Sequence, residues 1–219
     1  MSRGDHAKRS RWEKRAPVGL LVGRGNAGKS LLFVNFLDFL GVNPLVLHRR
    51  QGQRVERLVY SRPTAESSLV SGEPGQTAGF YVGMAPLSSR RRAPLALVDS
   101  TAILVTSGEW GPPALRRAVG FVQLLLHVVD ASELGSGRLD PLDQRLMEVS
   151  LGQPGYLLLA NKVDRPWGSA GVRILAEAVD SHRVLPLSAR TGRGFRELRS
   201  RLLLALSEVK DTEAFPNRG

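Results

Sequence analysis

Cysteine is absent from the 219 residues, which excludes disulfides and thiolate metal sites. The absence fits a reducing compartment such as the cytoplasm, without requiring one. No apolar run approaches the ~20 residues of a spanning helix, so no stable membrane insertion is expected. The start, Met1 to Arg15, has no apolar stretch of the kind a secretory signal needs. The four histidines, His6, His48, His127 and His182, show no metal-ligand spacing. Trp12, Trp110 and Trp167 are scattered and form no base-stacking platform. There is no internal repeat. Acidic residues are scarce: 20 Asp and Glu face 31 Lys and Arg, for a net charge of +11. That excess favours an anionic partner, RNA or an acidic membrane surface, over a neutral one. The first residues lack the interleaved large apolar side chains of an amphipathic anchor, which sets the membrane aside.

What is present is an alternation. The apolar run Val18 to Val22 reads as a strand, followed by a glycine loop and a helix over Leu31 to Leu40 with Gly41 as its stop. Pro44 to His48 and Val55 to Tyr60 read as short strands separated by the basic piece Arg49 to Arg54. Phe80 to Val82 and Leu95 to Val98 read as strands, and Phe121 to Val129 as one buried on both faces. Then come a helix (Pro141 to Val149), a strand (Tyr156 to Ala160), a helix (Ala170 to Ala178), a strand (Val184 to Leu187) and a closing helix (Phe195 to Leu206). Such alternation predicts an α/β fold: a mostly parallel sheet with helices on both faces. One domain is expected over 17–207, with a basic arm over 1–16 and a polar tail over 208–219.

Gly23-Arg24-Gly25-Asn26-Ala27-Gly28-Lys29-Ser30 matches GxxxxGK[ST] between a strand and a helix that opens with Leu31. Glycines let the backbone curl so that successive N–H groups meet a β-phosphate at the positive end of the helix. Lys29 reaches the β- and γ-phosphates, and the Ser30 hydroxyl binds Mg²⁺.

The phosphate loop does not distinguish ATP from GTP. Asn161-Lys162-Val163-Asp164 does, placed after a strand where such sheets bind ligands. The Asp164 carboxylate can accept from guanine N1–H and the exocyclic amine together, a donor pair that adenine lacks. Asn161 can bond the other edge of the base, and the Lys162 stem can lie along its face. Ser188-Ala189-Arg190 follows the last strand, and a backbone N–H at Ala189 would meet the guanine carbonyl oxygen. The ligand read from these pieces is GTP or GDP.

With GRGNAGKS, NKVD and SARTGRG joined by Pro74-Gly75-Gln76-Thr77, the chain resembles the TrmE–Era–EngA–EngB group of translation-associated GTPases from about Val18 to Leu206. The resemblance implies a Ras-like P-loop fold, GTP hydrolysis with Mg²⁺, and work on ribosomes or other RNA. It implies that Thr77 is the switch threonine, touching Mg²⁺ and the γ-phosphate, and that Asp99 organises Mg²⁺ through water. The gap from Ser30 to Thr77 exceeds the family norm, so an inserted basic hairpin over Pro44 to Tyr60 is expected in the first switch region. Asn26 stands where members of the group use K⁺ beside the phosphates, and a role in shaping the loop stands equally open. Lys29, Thr77 and Asn26 are the catalytic candidates.

The second switch departs from the family. Asp99-Ser100-Thr101-Ala102 puts alanine where the group has glycine, and Ile103 follows. The Ala102 Cβ restricts a backbone whose N–H should meet the γ-phosphate. Two readings therefore stand: a slow, cation-assisted GTPase, or a nucleotide-dependent interaction module with weak or absent hydrolysis.

Overall fold

The computed structural model describes residues 16–51, 54–61, 80–88, 94–100, 122–137 and 139–213. Thr77, Ala102, Ile103 and the basic arm lie outside the described residues.

Eight strands form one sheet in the order β3-β2-β4-β5-β1-β6-β7-β8. They are β1 (Val18–Val22), β2 (Leu45–Gln51), β3 (Arg54–Tyr60), β4 (Phe80–Ala85), β5 (Leu95–Ser100), β6 (Leu124–Asp130), β7 (Tyr156–Asn161) and β8 (Val184–Pro186). The pairs β5–β1, β1–β6, β6–β7 and β7–β8 are parallel; β3–β2, β2–β4 and β4–β5 are antiparallel. Four α-helices are described: α1 (Lys29–Phe39), α2 (Pro141–Ser150), α3 (Gly168–Ala178) and α4 (Phe195–Glu213).

Side-chain alternation in the parallel strands builds two cores. Leu21, Leu126, Val128 and Leu159 point to one face, where α1 packs Phe33, Phe36 and Leu37 and α4 packs Phe195, Leu198 and Leu202. Leu20, Val22, Leu125, Val129 and Leu158 point to the other, under Leu146 and Met147 of α2 and Leu175 of α3. Strands buried on both faces read as unbroken apolar runs, and β6 and β7 do so.

The inserted hairpin is present and extends the sheet, with β2 pairing to β4 and β3 forming the outer edge. Its strands are longer than the sequence suggests. The basic stretch Arg49 to Arg54, expected as a connection, lies mostly within them. The reason is that an edge hairpin tolerates polar side chains: Arg49 sits opposite Glu56 and bonds it at 2.6 Å. Strand β6 starts at Leu124 rather than Phe121; Gln123 instead turns its side-chain oxygen to the Val18 N–H at 2.8 Å. Helix α4 continues to Glu213, beyond the expected Leu206.

Candidate functional site

The loop between β1 and α1 and the loops after β7 and β8 meet at the carboxyl end of the parallel strands. This is where an open α/β sheet offers its ligand crevice. In the first loop, Gly23 has φ 139° and Gly28 φ 91°, backbone that L side chains rarely adopt. Space imposes a second constraint. A Cβ at Gly23 would lie 2.2 Å from the Val128 carbonyl oxygen, and one at Gly28 would lie 2.4 Å from Asn161 Nδ2. The glycines thus serve close approach to β6 and to the end of β7 as well as curvature.

Asn161 occupies the centre of the site and is 1% exposed. Its Nδ2 donates to the Ala27 carbonyl at 2.7 Å, and its Oδ1 accepts from the Ala189 N–H at 2.9 Å. One amide therefore ties the phosphate loop to both base-side loops. Asn35 of α1 adds a third strut, donating to the Ala189 carbonyl at 2.9 Å. The Ala189 N–H, read as a donor for the guanine carbonyl, donates here to Asn161 Oδ1, and Asn161, read as a base contact, also holds backbone on both sides, with one Nδ2 hydrogen and one Oδ1 lone pair left over.

Lys29 is buried, and its ammonium folds back onto the Gly23 and Arg24 carbonyls at 2.9 and 2.6 Å. Burial lowers its pKa, against the pull of Asp99 and Asp143. An anionic phosphate would restore its preference for charge. Asp99, next to last in β5, is fully buried, and neither carboxylate oxygen has a hydrogen-bond partner within 3.5 Å. Burial raises its pKa to about 6, although Ser30 and Lys29 favour the anion. Buried polar atoms are normally satisfied. An orphaned carboxylate beside the Ser30 hydroxyl is a donor set suited to Mg²⁺, a hard cation that takes oxygen ligands.

At the base side, Lys162 sits at φ 64° with its ammonium on Asp130, which also caps the 3-10 turn Ala131–Ser136 by accepting from the Ser132 N–H. Asp164 has a side chain only 15% exposed. The Ser188 hydroxyl and then the Arg190 guanidinium hold its carboxyl below the usual carboxylate range, against burial. Arg190 donates to Asp164 Oδ2 from both Nε (3.1 Å) and Nη2 (2.6 Å). Asn26 is exposed at φ 60°, a conformation asparagine tolerates, and Gly25 beside it is exposed too. The loop-shaping reading of Asn26 thus has its backbone as support.

This is the fold of a Ras-like P-loop GTPase. No family model matches the chain. By fold it is similar to Aquifex aeolicus Era in complex with GDP·AlF4⁻ (TM-score 0.58, 18% identity, covering 87% of this chain and 56% of that one). It is also similar to a bacterial selenocysteine-specific elongation factor, EF-Sec (TM-score 0.52, 14% identity, 93% and 30% covered). In sequence it is 32% identical over 102 residues to the GTPase Obg of Desulfitobacterium hafniense, covering 42% of this chain. The chain spans 24% of the length of that relative.

Set on this GTPase fold, one constellation carries no signal in the sequence. Arg24, a variable position of the phosphate-loop motif, sends its side chain to α2 and to the turn before it. Its guanidinium contacts Asp143 (2.8 Å), Asp140 (3.3 Å) and Glu133 (2.7 Å). Asp143 in turn meets His127 Nε2 at 3.0 Å, and His127 Nδ1 meets the Tyr156 hydroxyl at 3.0 Å. His127 is thus a core histidine within a polar chain that bolts the phosphate loop to α2. Arg24 and Asp143 stand 119 residues apart, and no spacing rule links them.

Proposed function

We propose that this chain binds GTP, hydrolyses it slowly to GDP, and uses the nucleotide state to switch its association with an RNA-containing partner such as a ribosomal subunit in the cytoplasm. The observation that carries the reading is the Asn161 amide, which unites the phosphate loop and the two base-side loops in one frame. Across that frame Asp164 supplies the carboxylate that guanine N1–H and the exocyclic amine require. The Arg190 contact, at the exposed side of Asp164, yields to the base or shares the carboxylate with it. Ala189 and Ser188 shape the base-side loop from behind.

Ser30 and Asp99 would hold Mg²⁺, with Thr77 joining when GTP is bound. The ion would supply charge neutralisation at the phosphates. Lys29 exchanges the Gly23 and Arg24 carbonyls for the β- and γ-phosphate oxygens. Hydrolysis is then in-line attack of water on the γ-phosphorus, with the bond to the bridging oxygen breaking. Positioning and charge neutralisation carry the rate of such a reaction. A K⁺ ion held by Asn26 beside the phosphates would assist.

The test is a single-turnover GTP assay in K⁺ and in Na⁺, on the wild type and on Ala102→Gly. Slow hydrolysis that is faster in K⁺ supports the whole reading; equal rates in the two salts remove the K⁺ part. A second reading, a nucleotide-dependent interaction module, is favoured by Ala102 alone. It predicts tight GTP binding with no turnover in the wild type and a gain of turnover in Ala102→Gly. For the partner, co-sedimentation with ribosomal subunits in GTP but not GDP is expected, and no nucleotide dependence would count against it.

A further inference from the structure

Trp167 is the most exposed large apolar side chain among the described residues, at 70%. It sits three positions beyond Asp164, at φ 68°, between the base-reading loop and α3. A bulky residue in the left-handed region costs roughly 1 kcal/mol or more, and here the cost yields no packing, because the indole points to solvent. The surroundings are strongly basic. The loops 162–168 and 188–196 are joined by the Asp164–Arg190 pair and by the Val163 N–H on the Leu187 carbonyl at 3.3 Å. Together they carry Lys162, Arg165, Arg190, Arg193 and Arg196; Lys162 is paired with Asp130 and Arg190 with Asp164, which leaves the other three guanidiniums as the excess positive charge. Arg165, Pro166, Arg193 and Arg196 are exposed. Among the described residues, none of Arg165, Arg193 and Arg196 has an ion-pair partner.

We infer that this surface, built from Trp167, Arg165 and Arg193 beside the base-reading loop, binds single-stranded RNA. An exposed indole offers a stacking face to an unpaired base, and the flanking guanidiniums meet the phosphates on either side. Charge complementarity selects a polyanion over a protein groove. The stacking face selects single strands, because bases in a duplex are not available to it. The inference rests on the RNA reading above and sharpens it: the contact lies next to the nucleotide, so occupancy of the base site and of the RNA surface can influence each other through the loop 162–168.

The experiment measures binding of a fluorescein-labelled 20-nucleotide oligouridylate to the full GDP-loaded chain by anisotropy, with a duplex of equal length as comparison. Trp167→Ala is expected to weaken oligouridylate binding about five-fold or more, and Trp167→Phe to restore most of it. Arg165→Ala with Arg193→Ala is expected to weaken binding and to reduce the salt slope by about one to one and a half. Affinity for a fluorescent GDP analogue stays unchanged in these variants and reports that they are folded; Trp167→Gly, which suits the backbone conformation, provides a second folded variant. If the wild type binds no RNA, the RNA reading and this surface fall together. If the wild type binds and Trp167→Ala binds equally well, this surface alone is overturned. It is equally overturned if duplex binds as tightly as single strand, or if Trp167→Ala instead weakens GDP.

Discussion

Strands β6 and β7 are buried along their whole length, whereas β3, at the far edge of the same sheet, leaves Val55 and Val59 about half exposed at 50% and 53%. The parallel half is covered on both faces by helices and holds the loops that meet at the candidate site. The antiparallel half ends in a two-strand insertion with no further strand paired to it among the described residues. The difference teaches where the chain can change. In the parallel half one side chain, Asn161, ends a strand and holds two loops at once. In the hairpin, Leu45 and Leu47 still reach the core, while Val55 and Val59 on the outer strand are about half exposed.

Three predictions sharpen that contrast. The largest effect is expected for Asn161→Ala. It leaves the Ala27 carbonyl and the Ala189 N–H buried without partners, at about 1–3 kcal/mol each, and should lower GDP affinity at least about ten-fold. Urea denaturation of the nucleotide-free protein and calorimetric GDP titration check it. Lost affinity with unchanged stability would make Asn161 a base contact and not a clamp.

Asp130→Asn comes next, at about 1–3 kcal/mol, because it removes the partner of a largely buried Lys162. Burial works to raise the Asp130 pKa, but the Lys162 and Ser132 bonds outweigh it and hold it below the ordinary 3.8. A depressed carboxyl contributes its stability above 3.8 and loses it as pH falls through the folded value. The stability gap between wild type and variant should therefore be full at pH 7 and shrink on acidification below about 4. A gap that widens on acidification would show the sign to be wrong. The smallest effect belongs to Val59→Thr on the open edge. It should change stability by less than about 0.5 kcal/mol and leave GDP affinity as it was.

Much of this arrangement was legible in the chain itself, for stated reasons. The apolar runs at Val18 and Tyr156 identify strands because burial on both faces demands them, and the motif glycines and Lys29 sit where local spacing puts them. Three features resisted. The hairpin strands read as interrupted because exposed edge strands carry arginines that mimic a loop. Asn161 reads as a base contact because its type and position fit one, and only the folded loops reveal that it also bridges the Ala27 carbonyl and the Ala189 N–H. The Arg24–Asp143–His127–Tyr156 chain joins residues with no local relation, so pattern and spacing do not reach it. Trp167 belongs with these: three tryptophans look scattered in sequence, and of the arginines on its surface only Arg165 is close to it along the chain, while Arg193 comes from the loop after β8.

The Asn161 clamp has a consequence for the proposed guanine-nucleotide site. Under that proposal identity of the base is delegated to Asp164, which stands at the rim and is held by an exposed arginine. The shape of the cradle is delegated to Asn161, which stands at the keystone. Selectivity can therefore be rewritten at the rim while the arch stays up, whereas a change at the keystone brings down the phosphate seat and the base seat in one stroke.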